Sequence, residues 1–97
     1  MSVIDPEREE IRVLESIAHW RGTQVLDIGC GDGRLSLRLA RLGATVVGVD
    51  PDTADIRTAR RQLPARYQHR VRYEVGSGTR LKYPAESFDV VLFSWSL

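Results

Sequence analysis

Val25-Leu26-Asp27-Ile28-Gly29-Cys30-Gly31-Asp32-Gly33 runs from a short apolar segment into three glycines at alternate positions. A run this short and apolar, ending in glycine, reads as a strand buried on both faces and therefore as part of a parallel sheet. The glycines let the backbone turn tightly and keep Cβ atoms away from a ligand lying across the strand end. Leu35, Leu39 and Leu42 follow at spacings of four and three, so a helix is predicted over 33–42, stopped by Gly43. Its free amides point back at the turn. Strand, glycine turn and helix in that order place a binding site at the carboxyl end of the strand.

The same reading extends outward in both directions. Thr45-Val46-Val47-Gly48-Val49 is β-branched and reads as a second buried strand. Asp52-Thr53 can cap a third helix, with Ile56, Ala59 and Leu63 on its inner face and Pro64 ending it. Val71 to Val75 alternates apolar and charged residues, as a strand with one wetter face does, and Phe88 to Phe93 reads as the last strand. Toward the N-terminus, Asp5-Pro6 followed by Glu7, Glu9 and Glu10 has the chemistry of a helix start, and Ile11, Leu14 and Ile17 continue at helical spacing, predicting a helix over 6–20. Strands alternating with helices imply parallel β-α-β units with right-handed crossovers, an α/β, doubly wound fold. One domain is expected, with a helical lead-in at 1–22 and a motif-bearing core at 23–97.

Composition narrows the function classes. The chain has 97 residues, 42% hydrophobic and 28% charged, which is ordinary globular usage and too short for a second folded domain. Fourteen basic against thirteen acidic residues leave a net charge of +1, which argues against a dedicated nucleic-acid grip. The arginines at 57, 60, 61, 66, 70 and 72 read as a solvated face, with no interleaved aromatics for base stacking. Cys30 is the single cysteine, so no internal disulfide forms and a reducing, cytoplasmic setting is expected. Between glycines it reads as a small space-filling residue rather than a reactive thiol. His19 and His69 do not form a metal spacing. No basic cluster precedes an apolar stretch at the N-terminus, and the longest apolar run, Val90 to Phe93, falls far short of the ~20 residues of a membrane helix.

The ligand class follows from two acids. Asp50 closes the second strand, where a carboxylate accepts from paired ribose hydroxyls, so the ligand is read as a nucleoside derivative. A dinucleotide site wants G-x-G-x-x-G/A, but the sixth position is Arg34 counted from Gly29 and Ser36 counted from Gly31. A nicotinamide-dependent oxidoreductase is therefore the weaker alternative. Asp27, immediately before the glycines, would repel a pyrophosphate and attract a ligand carrying an ammonium or a sulfonium. Asp27 could equally hold the loop in shape through its amides.

These residues resemble the class I S-adenosylmethionine (SAM)-dependent methyltransferases, in particular the small-molecule group called methyltransferase type 11. The stretch from Val25 to Gly33 is similar to their first motif, which holds the methionyl part of SAM, and Gly48-Val49-Asp50 to their second, whose acid binds the ribose. The resemblance covers residues 24–97. It implies a Rossmann-like sheet in the strand order 3-2-1-4, with SAM as cofactor and a small-molecule methyl acceptor. Asp27, Gly29, Gly31 and Gly33 would hold the methionyl end and Asp50 the ribose. Pro51, Ser77 and Gly78 would lie near the adenine, and Ser94 would line the pocket or pack beside it. Gly76-Ser77-Gly78 stands where many relatives have Gly-Asp-Ala, and Asp55 where they have an apolar residue. No side-chain base is implied, because the reaction is direct displacement at the methyl group.

The resemblance also implies three strands and substrate-binding insertions after Leu97. Without them, the strand ending at Phe93 would be an edge with apolar side chains on both faces, inviting self-association. A non-catalytic SAM-binding or inert self-associating fragment is the alternative reading on that ground.

Overall fold

The computed structural model describes residues 2–4, 20–77 and 87–94. Its elements are β1 (Ser2–Ile4), β2 (Gln24–Ile28), α1 (Arg34–Arg41), β3 (Thr45–Asp50), α2 (Thr53–Gln62), a 3-10 turn (Ala65–Tyr67), β4 (Val71–Val75) and β5 (Val90–Phe93). The strands form one sheet in the order β1-β5-β2-β3-β4, and every pairing is parallel. The four strands expected from the sequence take the order 3-2-1-4, and the fold is α/β and Rossmann-like.

Register explains how each face is filled. Val25 pairs with Val46 and Val90, and Val46 with Val71, so these side chains lie on one face of the sheet. Leu35 and Leu39 of α1 pack on Val25, Val46 and Val90, while Ile56 and Ala59 of α2 pack on Val71 and Tyr73. Both helices therefore cover the same face, as successive right-handed crossovers running in one direction along the sheet require. Leu26, Ile28, Val49 and Val91 point the other way and cluster with Phe88. Asp52 caps α2 as expected, its Oδ1 accepting from the amides of Ala54 and Asp55 at 2.9 and 3.1 Å.

Three features differ from the sequence reading. Ser2–Ile4 is a strand, so the lead-in at 1–22 is not helical throughout; the helix expected at 6–20 lies outside the described residues except for Trp20, which is buried and outside any helix. The open edge expected at the last strand is not there, because β1 pairs along β5 from Ser2 opposite Val90 to Ile4 opposite Leu92. The sheet's own N-terminal segment takes the hydrogen bonds that a second copy of the chain was expected to take. Arg60, read as one residue of a solvated face, donates from Nε and Nη2 to the Tyr73 carbonyl at 3.1 and 2.8 Å and so occupies an acceptor of β4 at the opposite side of the sheet.

Leu39 is fully buried between α1 and the sheet, whereas Leu42 is 40% exposed. Leu39→Ala is expected to lower unfolding free energy by about 2–5 kcal/mol in urea titrations, and Leu42→Ala by less than about 1 kcal/mol.

Candidate functional site

Parallel sheets leave their loops at the carboxyl ends of the strands, and here the turn after β2, the end of β3 and the end of β5 meet around a cleft of about 670 Å³. The turn from Gly29 to Asp32 lines it on one side, Arg34, Leu35 and Arg38 of α1 on another, and Asp50, Asp55 and Ser94 complete the lining. The turn is built from left-handed backbone, with φ of 76° at Gly29, 57° at Gly31 and 84° at Gly33. At Gly31 a Cβ would meet nothing within 4 Å, so the missing side chain leaves open space. At Gly33 a Cβ would come within 2.6 Å of Tyr73 Cζ. Tyr73 fills that space from β4 and donates its hydroxyl to the Gly33 carbonyl at 3.1 Å, bracing the turn from below.

Asp50 ties the turn to β3. Its Oδ2 accepts from the Gly31 amide at 3.0 Å and its Oδ1 from the Asp52 amide at 2.8 Å. The Gly29 and Cys30 amides also donate to the Val49 carbonyl. Each carboxylate oxygen keeps a further lone pair, since a carboxylate offers about four acceptor sites.

Asp27 has no exposed surface and does not line the cleft. Its partners are not the loop amides. Ser36 of α1 donates to Oδ2 at 2.6 Å and Ser94, after β5, donates to Oδ1. Burial pushes its carboxyl up to about 6; the two seryl hydrogen bonds oppose that shift and the charge of Asp50 adds to it. Ser94 is anchored as well by its own amide, which donates to the Ile28 carbonyl at 2.8 Å.

Cys30 packs with Ala40, Ile56 and Tyr73, and burial drives its thiol pKa upward, with the charges of Asp27 and Asp50 acting in the same direction. That is an inert, space-filling thiol. Pro51 is exposed and Ser77 half-buried, both outside the cleft's lining; Ser77 follows Gly76, whose amide donates to the Asp50 carbonyl at 3.1 Å. Gly78 lies outside the described residues.

The structure thus brings Gly29, Gly31, Asp50 and Ser94 to one cleft, and puts Asp27 and Gly33 behind it. Ser36, Tyr73, Arg34 and Arg38 are additions that sequence reading misses. Ser36 left a signal, as a polar residue in the inward stripe of α1 between Leu35 and Leu39. Tyr73 left only its place on the apolar side of an alternating strand.

The sequence profile of the family described as "Methyltransferase domain" matches residues 25–97. The chain is 44% identical over 77 residues to the ubiquinone biosynthesis O-methyltransferase of Azorhizobium caulinodans, covering 79% of this chain and 30% of that protein. It therefore spans about a third of the length of that curated relative. Among solved structures, an S-adenosylmethionine dependent methyltransferase from Mesorhizobium loti superposes with a TM-score of 0.72 at 26% identity, covering 86% of this chain and 38% of the other. A phosphoethanolamine N-methyltransferase of Haemonchus contortus, in complex with phosphoethanolamine and S-adenosylhomocysteine, superposes with a TM-score of 0.67 at 29% identity, covering 81% of this chain and 16% of the other.

The Asp27 pKa has a consequence for stability. Because it is raised from 3.8 to about 6 on folding, the folded state holds this proton more tightly than the unfolded state. Its contribution is fully present below the unfolded value and is lost as pH rises through about 6, a change of about 3 kcal/mol. Asp27→Asn does not titrate, so wild-type stability measured relative to this variant is expected to fall by about that amount between pH 3.5 and pH 7.

Proposed function

Since the chain belongs to the methyltransferase domain family, we propose that it forms the cofactor-binding portion of a SAM-dependent methyltransferase acting on a small-molecule acceptor. The observation that carries this reading is the Asp50 carboxylate, bonded to the Gly31 amide in the lining of a cleft that the glycine turn borders. The residues present fit the cofactor. Asp50 has lone pairs left for a ribose diol, the open space over Gly31 admits close approach of a ligand to the backbone, and buried negative charge at Asp27 lies behind the turn. In this reading Gly29 and Gly31 lie under the methionyl part, Gly33 shapes the turn from behind, and the adenine extends past the cleft's lining toward Pro51, Ser77 and Gly78.

SAM supplies a methyl group on a sulfonium, which an acceptor nucleophile takes by in-line displacement. The chain's own residues bind and orient. Asp50 holds the ribose, and the turn fixes the ligand's height above β2. Such positioning of two reactants is worth up to ~7–11 kcal/mol of a barrier when alignment is good. No side chain is assigned as a base. The identity of the acceptor belongs to the whole protein's activity, and nothing in this reading calls for a second copy of the chain. A cytoplasmic setting suits the buried, unpaired Cys30.

Asp50→Ala is expected to weaken SAM binding by about 10-fold or more in calorimetry, the loss of hydrogen bonds to a charged acceptor. Undiminished affinity would overturn the assignment. In a thermal-shift comparison SAM is expected to raise the unfolding temperature of the wild type and NAD to leave it unchanged.

A further inference from the structure

β4 is an outer strand of the sheet. In its parallel ladder with β3, the Val46 amide donates to the Arg70 carbonyl and the Gly76 amide to the Asp50 carbonyl, so the even-numbered residues of β4 turn their backbone toward β3. The amides and carbonyls of Val71, Tyr73 and Val75 therefore face outward. Among the described residues, only the Tyr73 carbonyl of this outward set has a partner, the guanidinium of Arg60, which donates from Nε and Nη2. Two of the five guanidinium N–H groups are spent there, and the others remain for a ligand. A groove of about 470 Å³ runs beside this edge, lined by Arg60 and Leu63 from α2, by Gln68, and by Arg72 and Tyr73 of β4.

Charge around the groove is one-sided. From Ile56 to Tyr73 there are six arginines and no aspartate or glutamate, while the other 79 residues hold eight basic and thirteen acidic side chains. Read along the sequence these arginines are a solvated face; in the fold they gather at one margin of the sheet. Arg60 and Arg61 lie three and four residues after Arg57 and share its flank of α2, and Arg70 leads into β4, which carries Arg72. Arg57, Arg60, Arg61 and Arg72 are exposed. Among the described residues, Arg57, Arg60, Arg61 and Arg70 make no ion pair, and the one acid at this margin, Glu74, meets Arg72 at 3.9 Å.

We infer that the outer edge of β4, together with the arginine flank of α2, is a docking surface for an extended, acidic segment of a partner protein, which adds a strand to the sheet and sets its carboxylates on Arg60 and the neighbouring arginines. The backbone supplies pairing and the arginines supply selection. A neutral strand finds the Tyr73 carbonyl already occupied, which blunts the edge against indiscriminate pairing. An acidic strand recovers that loss through charge-assisted bonds to the remaining N–H groups of Arg60. Single-stranded nucleic acid fits less well, because it needs open aromatic faces for stacking. Tyr73 is buried, and the Tyr67 ring is covered by Arg66, 5.2 Å from its centroid. The groove shares no lining residue with the cleft, so docking is independent of the cofactor.

The test uses the 97-residue chain and a labelled peptide of alternating glutamate and threonine about ten residues long, which as a strand carries every glutamate on one face. In fluorescence anisotropy it is expected to bind about 10-fold more tightly than the matching glutamine-threonine peptide, and to weaken as salt is added. Amide exchange followed by NMR is expected to slow at Val71, Tyr73 and Val75. Arg60→Ala is expected to lose about 10-fold in affinity for the glutamate peptide. It releases the Tyr73 carbonyl, so the glutamine peptide is expected to bind no worse than to wild type. Arg57→Glu combined with Arg61→Glu, both exposed, is expected to abolish the preference and leave the fold intact. Val75→Pro removes an outward amide and spares the ladder with β3, so it is expected to weaken both peptides. Equal affinity for the two peptides overturns the inference, and so does absence of binding by wild type. Binding without slowed exchange at the three amides, or tighter binding of oligouridylate or of phosphatidylglycerol vesicles, assigns the arginines to polyanions at large and overturns it equally.

Discussion

A carboxylate with no exposed surface, one residue from the end of a central strand, is the constraint around which this structure is arranged. Asp27 lies between Gly48 of β3 and Leu92 of β5 in the register of the sheet. Removing a carboxylate from water is costly unless its oxygens are hydrogen-bonded, and unpaired it would destabilise the centre of the sheet. Its two partners come from different elements: Ser36 arrives with α1 and Ser94 with the chain leaving β5. Satisfying one buried group thus sets the position of α1 over the sheet and of β5 beside β2.

Around that centre the glycine turn is held from three sides. Asp50 holds Gly31 from β3, the Val49 carbonyl takes the amides of Gly29 and Cys30, and Tyr73 props the Gly33 carbonyl. Tyr73 reaches so far because Gly48 offers no side chain. A Cβ there would come within 2.8 Å of its ring and 2.9 Å of Cys30 Sγ. One glycine in a strand thereby makes room for the residue that supports another in the turn. This side of the cleft is rigid for this reason, which is what positioning chemistry requires of a site.

Much of the architecture is legible in the residues because it rests on local pattern. Apolar runs of four to six residues, leucines at three- and four-residue spacing, and Asp52 before a helix each report on their own neighbourhood, and the elements from β2 to β5 lie where those signals put them. Asp50 was legible for the same reason, as an acid at the end of a strand near a glycine turn. Ser36, Tyr73 and the route of Asp27 were not. Ser36 and Asp27 are nine residues apart, Ser94 and Asp27 sixty-seven, and Tyr73 and Gly33 forty. No periodicity links residues at such separations.

The edge of the sheet makes the same point. Ser2, Val3 and Ile4 offered no pattern long enough to declare a strand, and β1 exists through pairing with Val90, Val91 and Leu92 at the far end of the chain. By itself the sequence determined the fold class and the class of ligand, because hydrophobic period, glycine spacing and paired acids are properties of short segments, while the strand order from β2 to β5 was legible only through the family resemblance. Only the tertiary structure decided which side of the turn Asp27 serves, what holds the turn rigid and what lies along β5. Those are settled by which distant groups must satisfy one another once water is excluded.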